Sequence, residues 1–261
     1  MSDAVSFTGL GHAYLSGRWV FRDYAATIPK GCVFAVLGPN GRGKTTLLKV
    51  LLGTEKPSAG MVELNGQAAF VPQLFQVAFD YSVLDMVLMG RARRIGLFAR
   101  PGRPDEAAAQ AALDRVGMAH LAGQSFHRLS GGQRQLVILA RALAAEADIL
   151  VMDEPTSALD LANQSLVLER IRRLSGEDGL TVVLTTHHPH HALAVADHAL
   201  LMLGEAEHTC GAAADVLNEA NLLALYGLPL RRLAFEHEGR RIETFAPVFP
   251  LFAEPHGHAP G

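Results

Sequence analysis

The sequence predicts an α/β fold built on a largely parallel sheet, and three observations carry that expectation. Apolar runs at residues 32–37, 149–152, 181–185 and 199–203 have the unbroken character of strands covered on both faces. Segments of helical character separate them. The first run leads into GPNGRGKT at residues 38–45, and the second ends in Asp153 and Glu154, where doubly wound folds place ligands.

From the N-terminus, residues 5–35 alternate well enough for short strands. Residues 62–64 and 68–71 read as two more, with turns supplied by the glycine-rich interval 57–66. The loop at 38–45 fits G-x-x-x-x-G-K-[ST] through Gly38, Gly43, Lys44 and Thr45. Its backbone must curl around an anion with the N–H groups aimed inward, so Gly41 and Gly43 keep Cβ atoms out of the way. Lys44 is expected to reach the β- and γ-phosphates and the Thr45 hydroxyl to hold Mg²⁺. A helix over 46–52 points its positive end at the phosphates. Arg42 occupies a variable position, where phosphate contact and simple solvation are both open.

After Gln73 the pattern turns helical. Residues 82–89 and the alanine-rich 104–116 have few β-branched residues and repeated apolar spacing. LSGGQ follows at Leu129, Ser130, Gly131, Gly132 and Gln133, ahead of a helix over 133–144. Its glycines and Ser130 resemble a second phosphate cradle at a helix N-terminus, although a cap with a glycine turn accounts for them as well. Asp153 is then a Mg²⁺ partner, direct or through a neighbour. Glu154 is set to polarise the water that attacks the γ-phosphate. A helix is expected over 162–174.

His187 follows the apolar run 181–185 and has the chemistry to bond the γ-phosphate or orient the water. It begins HHPHH, in which His187 and His191 stand four apart, a spacing that raises metal binding. Pro189 interrupts the interval and no cysteine lies nearby, so no metal site is expected there. Residues 228–261 look less regular. Gly257, Pro260 and Gly261 with His256 and His258 suggest a frayed tail rather than another domain.

The 261 residues, 49% of them hydrophobic, suffice for one main domain with an inserted or appended part. Lys and Arg number 23 against 26 Asp and Glu, which offers no broad basic surface for nucleic acid. Cys32 and Cys210 are too few and too far apart for a disulfide framework or a zinc site. Neither a signal peptide nor an apolar stretch of membrane-spanning length is expected, so membrane association would come through a partner.

Over residues 7–227 these motifs make the chain closely similar to the ATP-binding subunit of ABC transporters. LSGGQ followed by RQ and an ARAL helix, at this distance before DEPTSALD, is close to unique to that family. The resemblance implies a P-loop NTPase, RecA-like core at about 1–75 and 135–227, with a small antiparallel β subdomain that takes in the strands at 62–64 and 68–71. It also implies an inserted helical signature subdomain at about 76–134, and leaves 228–261 as a partly irregular C-terminal extension. Gly38, Pro39, Asn40, Gly41, Arg42, Gly43, Lys44, Thr45 and Thr46 then stand as the Walker A segment, Gln73 as the Q-loop glutamine and residues 148–153 as Walker B. Glu154 matches the catalytic glutamate, residues 157–160 the D-loop, His187 the switch histidine, and Tyr14 an aromatic that stacks on adenine. ATP and Mg²⁺ are the implied cofactors, with Thr45, Gln73 and Asp153 around the ion. Leu129, Ser130, Gly131, Gly132, Gln133 and Asp160 would act in trans, on nucleotide held by a second ATP-binding subunit, expected to be identical.

The string at 69–91 resembles the metal-chelate, type II importer branch, nearest the molybdate and tungstate importer ATPases, with iron-siderophore, haem and cobalamin importers as relatives. The branch implies two transmembrane permease subunits, met through Tyr81 to Arg91 with Val83 and Met86 presented to them, and indirectly a periplasmic binding protein. It implies a place on the cytoplasmic face of the bacterial inner membrane. Thr45 replaces the usual serine and keeps its hydroxyl, residues 204–214 replace a familiar turn, and His188 stands where glutamine is usual. A soluble relative in translation or repair would need a second cassette, a coiled coil or a basic face, and a nonhydrolysing regulator would more naturally have lost Lys44, Glu154 or His187.

Overall fold

A computed structural model describes residues 3–14, 17–73, 75, 77–95 and 99–249. Strands β1 (Asp3–Ala13) and β2 (Trp19–Pro29) are longer than their interrupted alternation suggests, because register shifts absorb Gly9 and Gly11 without ending the ladder. Strand β3 (Val33–Leu37) and helix α1 (Lys44–Leu51) follow. Strand β4 (Ala59–Leu64) then returns to pair with β1, giving an antiparallel sheet ordered β2-β1-β4.

The main sheet runs β5 (Ala68–Val71), β6 (Ile149–Met152), β7 (Thr181–Thr186), β3, β8 (His198–Met202), β9 (His208–Ala212). All neighbours are parallel except the edge pair β8 and β9. Every residue of β3, β6 and β7 is buried, as a sheet covered on both faces requires. Phe34 and Val36 pack with α1 and the antiparallel sheet. Val33, Ala35 and Leu37 face a larger core that takes in the helices beyond the sheet's other face.

Two expectations need correction here. Residues 68–71 join the parallel sheet, paired with β6 from Ala68↔Ile149 to Val71↔Met152, rather than the small antiparallel one. The chain crosses between sheets at Gln67, whose N–H donates to Asp148 Oδ2 at 2.8 Å and whose carbonyl accepts from the N–H of Asp148 at 2.9 Å. A glycine-rich turn does not reveal whether the next strand returns to its own sheet or leaves it. The segment at 204–214 supplies β9, a strand the apolar pattern hides because none of its residues is fully buried.

Between β5 and β6 the chain is helical: α2 (Val83–Leu88), α3 (Arg103–Arg115) and α4 (Gly131–Ala144). Ser82 and Asp85 cap α2 reciprocally. Val83, Met86, Val87, Ala109 and Leu113 meet Leu136 and Leu139 of α4 in the larger core. Helices α5 (Leu161–Gly176), α6 (Pro189–Val195), α7 (Ala213–Val216) and α8 (Glu219–Tyr226) complete the α-helices of the described residues.

The expected irregularity after residue 228 is the third correction. Strands β10 (Leu230–His237) and β11 (Arg240–Pro247) form an antiparallel hairpin in full register. Its turn, Glu238-Gly239, has φ of 50° and 72°, the left-handed pair of a type I′ turn. Glutamate replaces the usual Asn or Asp there, and only Leu230 and Phe245 of the hairpin are buried, so neither turn chemistry nor burial announced it. The proposed frayed tail, with His256, Gly257, His258, Pro260 and Gly261, lies outside the described residues. Among those described, no helix is long and apolar enough to cross a membrane.

Candidate functional site: a phosphate loop facing a clamped glutamate

Strand register gathers the site. Leu37 pairs with Thr186, and Met152 with Leu184. The loop after β3, the carboxylates after β6 and the histidine after β7 therefore leave the same edge of the sheet, although they are far apart in sequence.

The loop after β3 curls through Gly41 (φ 78°) and Gly43 (φ 99°). At Gly43 a Cβ would also come within 2.4 Å of Val20 Cγ1, so space and backbone both demand glycine. Helix α1 begins at Lys44, two residues before the expected start. Lys44, Thr45 and Thr46 therefore stand in its first turn, where N–H groups lack intrahelical partners and favour an anion. This cradle fits a nucleotide phosphate.

Lys44 is buried and its Nζ donates to the carbonyls of Gly38 and Pro39 at 2.8 and 3.2 Å. It also pairs with Glu154 Oε1 at 3.0 Å, a contact the motifs do not foretell. Glu154 Oε2 accepts from Gln73 Nε2 at 3.4 Å and meets His187 Nδ1 at 2.9 Å. Since a carboxylate only accepts, Nδ1 carries the proton. Glu154 itself has φ 44°, in the left-handed region, a strain of about 1–3 kcal/mol that the clamp of partners sustains.

Asp153 is held at both oxygens. Thr45 Oγ1 donates to Oδ2 at 2.7 Å and Thr185 Oγ1 to Oδ1 at 2.6 Å, while the Glu154 N–H donates to the same Thr185 oxygen at 2.9 Å. Thr185 is the residue sequence reasoning missed; its polarity at the buried end of an apolar strand is the signal. A hydroxyl and a carboxylate converging at hydrogen-bond distance are hard oxygen donors, and they fit Mg²⁺, which takes few protein ligands beside phosphate oxygens.

A cleft of about 510 Å³ runs from Tyr14 over Gly41 and Thr45 to Gln73 and Glu154. Tyr14 is half exposed, and its hydroxyl is 3.1 Å from Thr46 Oγ1, which sets the ring at the open end of the cleft. Asn40 lines the cleft too. An adjoining hollow holds Pro39, Arg42, Trp19 and Glu205.

The LSGGQ segment and Asp160 lie apart from this cleft. Ser130 caps α4, accepting from the Gln133 N–H at 3.3 Å while Gln133 Oε1 accepts from the Ser130 N–H at 2.9 Å. The helix starts at Gly131 rather than Gln133, so both glycines stand in its first turn. A Cβ on Gly132 would come within 2.0 Å of Asn163 Oδ1, and Leu129 is buried beneath. Asp160 caps α5 by accepting from the Asn163 N–H at 2.8 Å. Asn163 thus ties the two motifs together on one surface.

Pro189 opens α6, so His187 precedes the helix and His191 lies within it, and the two do not share a helical face. Among the described residues no three His, Cys, Asp or Glu side chains converge as a metal cluster. His191 Nδ1 meets Thr156 Oγ1 at 3.1 Å in the interior. Burial, then the neighbouring histidines, push the His191 pKa down to about 4. Burial also lowers His188 and His190.

The expected presentation of Val83 and Met86 to a membrane partner is overturned. Both are fully buried in the helical core, because a capped amphipathic α2 turns its apolar face onto α4. Asp85 is the exposed member of α2, with Leu84 and Leu88 partly so, and Met89 just past the helix is partly exposed too.

Phosphate loop, converging Thr45 and Asp153, and a carboxylate held between lysine and histidine define a P-loop nucleotide-hydrolysing cassette. The chain belongs to the ABC transporter family, whose model matches residues 21–157, and it is the ATP-binding, ATP-hydrolysing subunit of such a system. It is 44% identical over 253 residues to the molybdate import ATP-binding protein MolC of Haemophilus influenzae, covering 97% of this chain and 98% of that one. It is 38% identical to the manganese transport system ATP-binding protein MntB of Bacillus subtilis, covering 80% and 86%. A protein of Helicobacter pylori assigned to iron chelatin transport is 36% identical, covering 84% and 91%. An inward-facing structure assigned to a metal-chelate type ABC transporter superposes with a TM-score of 0.91 at 42% identity, covering 95% of this chain and 98% of that one.

Proposed function

We propose that this chain drives molybdate- or tungstate-like oxyanion import by hydrolysing ATP between two copies of itself. The observation that carries the hydrolytic part is the Glu154 carboxylate held by Lys44, His187 and Gln73 at the edge of the phosphate loop. Tyr14 stacks on adenine, and residues 38–46 wrap the phosphates. Lys44 leaves Glu154 for the β- and γ-phosphate oxygens. The freed carboxylate accepts a proton from water as its oxygen bonds to the γ-phosphorus and the bond to the bridging oxygen breaks. His187, placed by its Nδ1 bond, orients that water. Thr45 and Asp153, with Gln73 nearby, would hold Mg²⁺, which when bound neutralises phosphate charge.

The oxyanion reading rests on identity to MolC across nearly the whole chain. Similarity to the Helicobacter protein favours chelated iron as the second reading. Uptake by vesicles carrying the chain with its own permease, with molybdate and an iron chelate in competition, separates the two. The working place is the cytoplasmic face of the inner membrane, beside two permease subunits, with a periplasmic binding protein delivering the cargo.

Ser130, Gly131, Gln133 and Asp160 present one capped surface away from the chain's own cleft, suited to close over nucleotide held by the other copy, while Leu129 and Gly132, expected among them, are buried and support it from beneath. The ligand forms much of that seam, so association should follow occupancy. With Glu154→Gln, ATP and Mg²⁺, light scattering is expected to give a dimer, and without nucleotide a monomer. A monomer with nucleotide binding verified would overturn the trans arrangement.

The helical unit at about 76–134 would carry closure to the permease. With Val83 and Met86 buried, the docking surface contracts to Asp85, Leu88 and Met89 beside Ala92 and Ile95. Charge at Leu88 or Met89 is expected to weaken permease association about tenfold, the scale of an interface anchor, and to leave basal ATPase unchanged. Equal coupled and basal rates relative to the parent for both variants would reject this surface.

A further inference from the structure

We infer that Tyr226 is a positioning residue for hydrolysis, acting through the main chain of His187; the inference rests on the ATPase reading above. The tyrosine hydroxyl donates to the His187 carbonyl at 3.0 Å, from 39 residues further along the chain. His187 lies one residue past Thr186, the last pair of the β3–β7 ladder, so its carbonyl is beyond the reach of the sheet. The phenol supplies the partner that the ladder does not.

What places the phenol is α8. Asn218 caps the helix, Leu222 and Leu225 bury it against the core, and Gly227 at φ 67° ends it directly after Tyr226. Burial, and then the charge of Glu154, drive the tyrosine pKa upward, so the hydroxyl keeps its proton and remains a donor throughout the neutral range.

On the other side of His187, the bond between Thr156 and His191 joins the segment after Glu154 to the helix after His187. That contact fixes the helix. His187 itself precedes α6, and the peptide that joins it to His188 is held at both ends: its N–H donates to Thr186 Oγ1 at 3.0 Å and its carbonyl accepts from Tyr226. The His187 ring spans the gap to Glu154 through one 2.9 Å contact, and a shift of the backbone carrying the ring is passed directly to that contact. No motif of the nucleotide site contains Tyr226, which lies beyond residues 21–157, the stretch that the family model matches.

Tyr226→Phe in the full-length chain keeps the ring and removes the donor. Turnover is expected to fall about two- to tenfold, the scale of one neutral hydrogen bond, with KM for ATP within about twofold of the parent. A purely structural loss would lower melting temperature and active fraction together, so both are measured. Single-turnover hydrolysis with enzyme in excess is then compared for His187→Ala and for His187→Ala with Tyr226→Phe. If Tyr226 acts through His187, adding the second change alters the rate by less than about twofold. Unchanged turnover in Tyr226→Phe, or an undiminished effect in the His187→Ala background, overturns the proposal. An inactive parent chain would instead overturn the ATPase reading on which it stands.

Discussion

Glu154→Gln is expected to lower ATP turnover by about 10²-fold or more, the scale of a positioned general base, while nucleotide binding persists. The amide is nearly isosteric with the carboxylate, so Gln73 and His187 keep a neighbour of the same shape, and the left-handed backbone at this residue is set by its surroundings rather than by charge. What disappears is the proton acceptor. Lys44 also loses its anionic partner within the chain, which frees it for phosphate and should leave ATP affinity equal to or above the parent's. Steady-state phosphate release with contaminating ATPase excluded, beside equilibrium binding of a fluorescent ATP analogue, separates the two effects. Turnover near the parental rate would remove Glu154 as the base and make His187 the first suspect.

The glycine loop, the capped LSGGQ helix and the carboxylates at a strand end were legible because each is a local device: a backbone curl, a helix start, a buried strand terminus. The clamp on Glu154 was not. It joins residues that follow β3, β6 and β7, and only strand register brings Lys44 Nζ to 3.0 Å and His187 Nδ1 to 2.9 Å from the Glu154 carboxylate. Thr185 was passed over for a related reason. A threonine in an apolar run reads as a good strand former, and its two bonds to Asp153 and the Glu154 backbone emerge once β6 and β7 lie side by side.

Residues 68–71 show the limit in the fold itself. Four residues with two buried positions satisfy an antiparallel edge as readily as a parallel one, and a long-range pairing with Asp148 decides between them. In α2 the periodicity did locate the helix, yet not what its apolar stripe faces. Val83 and Met86 meet α4 of the same chain, so an amphipathic pattern alone does not distinguish a core from an interface.

Lys44→Ala tests the same clamp from the opposite side and is expected to have the largest effect on binding. An ammonium bridging two phosphate groups makes charge-assisted bonds of about 1.5–3 kcal/mol each, so ATP affinity should fall by about 10²-fold or more. The structure adds a second consequence that the motif does not contain. Removing Lys44 leaves the buried Glu154 carboxylate with His187 and Gln73 but without its cation. Breaking a buried pair by deleting one partner costs about 3–5 kcal/mol when nothing else compensates, and the two remaining partners reduce that here. The nucleotide-free variant should therefore melt below the parent, and adding Glu154→Gln should recover part of the loss, because the uncompensated charge is then gone. Recovery distinguishes the ion pair from a mere packing defect, which the second substitution would not repair. Thermal unfolding of the parent, both single variants and the double variant forms a cycle whose coupling measures the pair, with nucleotide titrations on the same samples. An additive cycle would show that the Lys44–Glu154 contact contributes nothing to the fold, while ATP affinity near the parental value would remove Lys44 from the phosphate site.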